Sequence, residues 1–173
     1  MPKTRVFADT NVILESFRTG CWPVISNHFA IETVEKCVEE TLTGNPDDPR
    51  HIKVPSAELK KGLAGNHPVT RKDIAALVLS QPSCAMLDDG EMHLFAWLLA
   101  NNILPSLENL ITTADKAALV ATNDLGWLKS TISLEGLAKR AGVARDKLCS
   151  LNRQYREEWL SQVRTKIRMG IYP

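Results

Sequence analysis

The stretch Arg5-Val6-Phe7-Ala8-Asp9-Thr10-Asn11-Val12-Ile13-Leu14 constrains the fold more than any other part of the chain. Four residues rich in strand formers stop at a polar triplet, and the apolar run behind them reads as the start of a helix. A strand that ends in capping residues and turns directly into a helix opens an α/β unit. The pattern then repeats. Val24-Ile25 reads as a second short strand closing at Ser26-Asn27. Residues 28–43 read as one helix, with Ala30, Val34, Cys37, Val38 and Leu42 at helical spacing and a stop at Gly44-Asn45-Pro46. Residues 45–55 are polar and proline-containing, a loop. Ser56 and Thr70 are placed to cap short helices over 57–63 and 71–79, and Gln81-Pro82-Ser83 breaks the second. Residues 88–100 form a helix behind Asp88-Asp89-Gly90-Glu91. Leu110-Ile111-Thr112 is a third strand, and Thr131-Ile132-Ser133 a candidate fourth. A helix over 134–141 ends at Gly142. Leu151, Tyr155, Trp159, Val163 and Ile167 recur every four residues and predict one helix over 145–169.

Strands separated by helices predict a helix-rich α/β fold with a short parallel sheet covered on both faces. The first strand can be central, beside the third. Sites in such folds lie outside the carboxyl ends of the strands. The chain has 173 residues, 44% of them hydrophobic and 24% charged, the proportions of one soluble domain with a core and not of a disordered or collagen-like chain. No apolar run reaches the ~18–20 residues of a membrane span, and the first residues lack the apolar stretch of a secretory signal. Cys21, Cys37, Cys84 and Cys149 form no CxxC pair, which argues against a zinc or redox site. A cytoplasmic protein with reduced cysteines is expected.

Acids recur where strands end and helices begin. Asp9 ends the first strand and Asp115 the third; Asp88 and Glu91 open the central helix; Glu32 lies six residues after Ser26, early in the helix expected there, with Glu35 as the fallback. Asp9, Glu32, Glu91 and Asp115 could converge on one rim. Converging carboxylates raise one another's pKa unless a cation neutralises them, and an all-oxygen site selects Mg²⁺ or Mn²⁺. One or two such ions suit phosphodiester hydrolysis. Each acid has a plainer reading. Asp9 could simply cap a helix, Asp88 and Glu91 form a capping-box-like pair, Asp115 could be a turn residue, and Glu32, Glu35 and Glu39 could be a solvated face. Asp88 reads mainly as a cap. Asn11 is expected to hydrogen-bond a carboxylate or a metal-bound water, and Thr113 to orient Asp115. Lys116, Arg153 and Arg156 are candidate phosphate contacts.

At these residues the chain resembles the PIN-domain nucleases. Phe7-Ala8-Asp9-Thr10-Asn11 looks like their opening motif, Leu87-Asp88-Asp89-Gly90-Glu91 like their central acidic motif, and Thr112-Thr113-Ala114-Asp115 like their late strand; Glu32 falls where they place a helix glutamate. The likeness runs over roughly residues 5–140. It implies a PIN-like three-layer α/β/α domain over 1–142; within it 45–83 reads as a helical excursion, and 143–173 reads as a basic amphipathic helix packed on the domain. It also implies a metal-dependent ribonuclease, closest in layout to the VapC-like toxins, with an RNA substrate, an antitoxin partner and a homodimer. The segment 45–83 and the tail after Gly142 are longer than a minimal member needs.

Two other classes compete. A non-catalytic PIN-like module could bind RNA or a protein. A phosphatase of the haloacid dehalogenase type also places an acid after its first strand, but needs a second acid two residues on, where this chain has Asn11. The net charge of +1 hides an uneven distribution: residues 139–173 hold nine basic and three acidic residues, against 12 and 17 before them. Arg153, Arg156, Arg164 and Arg168 are either a solvated helix face or a track for the phosphate backbone.

Overall fold

The computed structural model describes residues 2–171. Its centre is a sheet of four parallel strands in the order β3-β2-β1-β4. The strands are β1 (Arg5–Ala8), β2 (Ala30–Val34), β3 (Leu63–His67) and β4 (Asn109–Thr112). β1 is interior, beside β4, the arrangement the sequence allows. It pairs with β4 on one side, Phe7 opposite Ile111, and with β2 on the other, Phe7 opposite Glu32.

Alternation along the strands sends side chains to two cores. Val6, Ala8, Ile31 and Leu110 face one core with α1 (Thr10–Arg18), α2 (Trp22–His28) and the later helix α8 (Leu134–Ala141). Phe7, Val34 and Ile111 face the other, with α5 (Arg71–Ser80), α6 (Asp89–Ala100) and α7 (Lys116–Asp124). Two further helices, α3 (Glu35–Leu42) and α4 (Ser56–Gly62), flank β2 and β3. The chain is thus a helix-rich α/β fold. Among the described residues no helix is long and apolar enough to cross a membrane. Cys21, Cys37 and Cys84 are buried and Cys149 is exposed, all free thiols.

Several local signals act as read. Thr70 caps α5 in a reciprocal capping box with Asp73. Ser133 caps α8 through the Gly136 amide, and Gly142 ends that helix at φ 80°, where a left-handed residue is needed.

Four readings are corrected. Val24-Ile25 lies within α2, where Pro23 occupies a first-turn position that tolerates its missing N–H. The helix expected over 28–43 is split: His28 ends α2, Ala30-Ile31-Glu32-Thr33-Val34 forms β2, and Glu35–Leu42 is a separate helix. Ile31, Thr33 and Val34 are β-branched and fit the pleated, buried surface between two neighbouring strands. The excursion at 45–83 does more than add helices, since it delivers the edge strand β3. Thr131 makes only an isolated bridge to Ile111.

The tail is not one helix. It comprises α9 (Arg145–Cys149), a 3₁₀ turn at Arg153–Tyr155 and α10 (Glu157–Arg168). Leu151, Tyr155, Val163 and Ile167 are buried, so the period correctly marks the inward face. Tertiary hydrogen bonds break the backbone between them. The Glu15 carboxylate accepts from the Asn152 amide at 2.7 Å, Glu135 accepts from the Glu157 amide at 2.8 Å, and Arg156 donates to the carbonyls of Cys149 and Leu151. Each occupies a group that a continuous helix would pair within itself.

Candidate active site

β1 and β4 end side by side, the Asp9 amide donating to the Thr112 carbonyl at 3.3 Å. Each strand runs into an aspartate that caps the following helix. Asp9 Oδ1 accepts from the Val12 amide at 2.9 Å, and Asp115 Oδ1 accepts from the Ala118 amide at 3.0 Å. The cap holds one oxygen of each carboxylate and so fixes the direction of the other. Asp9 is 1% exposed, and its Oδ2 is buried with no hydrogen-bond partner. A buried acceptor left unmet costs about 1–3 kcal/mol, which makes this oxygen the clearest mark of a site.

The third acid comes from α6. Glu91 is buried in the first turn, with the Thr113 hydroxyl at the outer limit of hydrogen-bond distance, 3.5 Å from Oε1. The same hydroxyl accepts from the Asp115 amide at 3.2 Å. Thr113 thus links two acids, a wider role than orienting Asp115. Asp88 occupies the cap position of α6, but its side chain makes no capping bond. It lines the site cavity instead.

The electrostatics follow from this packing. Burial pushes Asp9 up to about 6; the Val12 amide and the nearby Thr113 hydroxyl work against that rise, and the charge of Asp115 adds to it. Burial pushes Glu91 up to about 9, reinforced by the charges of Asp9, Asp115 and Asp88. Uncompensated carboxylates that repel one another across a buried rim hold protons well above the ordinary carboxylate range.

A cavity of about 410 Å³ opens here, walled by Asp9, Thr10, Asn11, Glu40 and the 87–91 segment. Asn11 is exposed on that wall and, among the described residues, makes no hydrogen bond to a carboxylate. Lys116 is exposed at the start of α7, directly after Asp115.

Glu32 does not join the cluster. It lies in a strand, and both its oxygens are taken: Arg5 Nε donates to Oε1 at 2.6 Å, Arg5 Nη2 lies 3.0 Å and His67 Nε2 2.7 Å from Oε2. Burial works to raise its pKa, but Arg5 and His67 overcome that and hold it low. The fallback, Glu35, is exposed in the first turn of α3. The helix acid at the cavity is Glu40, whose Oε2 accepts from Thr10 Oγ1 at 2.6 Å. The sequence does not single it out because residues 30–34 read as helix, which places Glu32 rather than Glu40 near the strand ends. Glu40 lies three residues from buried Cys37 and so on a neighbouring helix position, and that spacing is the available signal.

Arg153, Arg156 and Arg164 do not line this cavity. Arg153 is exposed on the 3₁₀ turn, Arg156 is bound to backbone carbonyls, and Arg164 donates to Thr131 Oγ1. Trp97 serves the core, stacked on His67 at 3.9 Å between ring centroids.

The donor set of Asp9, Glu91 and Asp115 is all oxygen, and the unmet Asp9 Oδ2 with the raised acids beside it suits a hard divalent cation. As the side chains stand, no group of three or more His, Cys, Asp or Glu among the described residues is arranged to hold a metal ion. No protein-family model matches the chain, and a search of the curated proteins finds no match.

Proposed function

We propose that this chain is a metal-dependent endoribonuclease hydrolysing RNA phosphodiester bonds. One observation carries the reading: the buried, unpartnered Asp9 Oδ2 beside two further acids, Glu91 and Asp115, that come from separate elements. An apolar or merely structural site would not retain three acids at that cost. Mg²⁺ or Mn²⁺, as one or two ions, is the group that fits; Asp9, Glu91 and Asp115 would hold it, with Asp88 and Glu40 at the wall. Bound there, such an ion supplies an activated water and neutralises charge on the phosphodiester.

The chain's own residues prepare the site. The helix caps fix the free oxygens of Asp9 and Asp115. Thr113 ties Glu91 to the Asp115 backbone, and Thr10 holds Glu40 against the wall. Attack of water on phosphorus with the 3′ oxygen as leaving group gives a 5′-phosphate and a 3′-hydroxyl. A toxin role, an antitoxin partner and a homodimer belong to this proposal through the PIN-like motifs alone, and a cytoplasmic setting through the unpaired cysteines.

The test is an RNA cleavage assay with Mg²⁺, with Mn²⁺ and with chelator, on the wild type, Asp9→Asn and Asp115→Asn. The expected result is metal-dependent cleavage lost in both variants with the fold intact. Full activity in chelator or in Asp115→Asn overturns the reading.

A second reading is a PIN-like module that binds RNA or protein without cutting. It is favoured by the acids not being closed around a metal position. Calorimetry with Mg²⁺ and Mn²⁺ separates the two, since the module takes up neither.

A further inference from the structure

A second cavity, about 340 Å³, lies between α10, the 129–133 segment and the residues around the start of β4. It lies along the β4 edge of the sheet and shares no lining residue with the carboxylate cavity. Lys129, Arg140 and Arg164 all line it. Among the described residues, none of the three has a carboxylate at ion-pair distance.

Arg164 is the informative one. It is half-buried, and its Nε and Nη2 both converge on one neutral oxygen, Thr131 Oγ1, at 3.0 and 2.7 Å. Burial lowers its pKa, and Arg168 adds to the effect. One hydroxyl does not balance a positive charge partly withdrawn from water. Glu157 also lines the cavity, but its carboxylate is bound to Lys139. The cavity therefore carries three uncompensated cations and one compensated acid. A guanidinium fork beside two further cations matches the oxygen geometry and charge of phosphate.

We propose that this cavity binds a phosphate group, carried either by a phosphorylated small molecule or by a nucleic-acid backbone. The proposal does not depend on the carboxylate cluster. The backbone source would make this surface a second contact for a polynucleotide, and the small-molecule source a separate ligand site.

The test titrates the wild type at low salt with inorganic phosphate, a nucleoside 5′-monophosphate and an oligodeoxynucleotide, read by thermal melting and calorimetry. Phosphate at about 10 mM should raise the melting temperature by a few degrees. The double variant Lys129→Gln/Arg140→Gln should lose that shift and bind about tenfold more weakly, while melting normally without phosphate, since both residues are exposed. Arg164→Gln should lose binding too; should it fail to fold, the double variant decides between the outcomes. Tighter binding of the mononucleotide assigns the small-molecule source, and tighter, salt-sensitive binding of the oligonucleotide assigns the backbone. No response of the wild type to any of the three, or equal binding by wild type and double variant, overturns the proposal.

Discussion

Glu32 and Asp9 come from adjacent strands and are both almost fully buried, at 7% and 1% exposure, yet the chain treats them in opposite ways. Glu32 has both oxygens satisfied by Arg5 and His67, and its carboxyl is held below its ordinary range. Asp9 has one oxygen satisfied by a helix cap and the other without a well-formed hydrogen bond, with only the Thr113 hydroxyl and the Glu91 carboxyl near, and its carboxyl is pushed up to about 6. Glu32 sits within a strand, where neighbouring strands can offer side chains across the ladder. Asp9 sits past the strand end, where only helix amino termini and other acids converge. The first arrangement stabilises the fold. The second costs stability and is reasonable only where something else is to be bound.

This contrast can be broken at either acid. The largest effect should come from Asp9→Asn, which should lower RNA cleavage more than about a hundredfold, as expected when a group placed at the reacting centre is lost. Glu32→Gln should leave cleavage within a few-fold of wild type but lower stability by about 1–3 kcal/mol, read by urea melts, because it strips a charged partner from Arg5 and His67. Equal loss of cleavage in both variants would erase the distinction between them.

The next effect concerns pH in the presence of chelator. Asp9 and Glu91 hold their protons in the fold to about 6 and about 9, whereas in the unfolded chain they release them near ~4. Their contribution is therefore complete below the unfolded values and is lost as pH rises through 6 and then 9. The melting temperature should fall across that window, and Glu91→Gln should flatten the upper part of the fall. Glu32 acts in the opposite sense: its lowered pKa adds stability above the ordinary glutamate value that disappears as pH falls. A melting temperature independent of pH between 6 and 9 would mean that the buried acids are neutralised by something other than a bound cation.

The smallest effect should come from Gly90→Ala. A Cβ there would lie 2.5 Å from Glu40 Oε2 and 3.0 Å from Thr10 Oγ1. The helix gains about 1 kcal/mol of propensity, so stability should change little, while Glu40 is displaced. A several-fold drop in cleavage with an unchanged melting temperature is the expected readout. Unchanged cleavage would place Glu40 outside the working part of the cavity.

The legible parts of this molecule were those decided by neighbours in the chain. Asp9 and Asp115 were readable because a strand, a capping acid and a helix follow one another within ten residues, and Glu91 because it stands one turn into a helix that its own flanks define. Glu40 was not, because its position depends on where β2 stops. The segment 30–34 carries both helical spacing and β-branched residues, and only its place between β1 and β3 resolves the conflict in favour of a strand. β3 was missed for a related reason. Leu63-Ala64-Gly65-Asn66-His67 has little strand propensity and is held at the sheet edge by its ladder with β2 and by His67 reaching Glu32.

The sequence by itself determined the α/β class and the two aspartates at the strand ends, because local capping and apolar period set these; the strand order came from the tertiary structure. Tertiary structure alone decided that Glu32 is a structural ion-pair partner and Glu40 a cavity acid. It also decided that the C-terminal period runs through a linker, a 3₁₀ turn and α10, set off from one another by contacts with Glu15 and Glu135. Charges and backbone groups are satisfied by whatever the fold brings near them, and a one-dimensional pattern carries no record of a partner 137 residues away, as Asn152 is from Glu15.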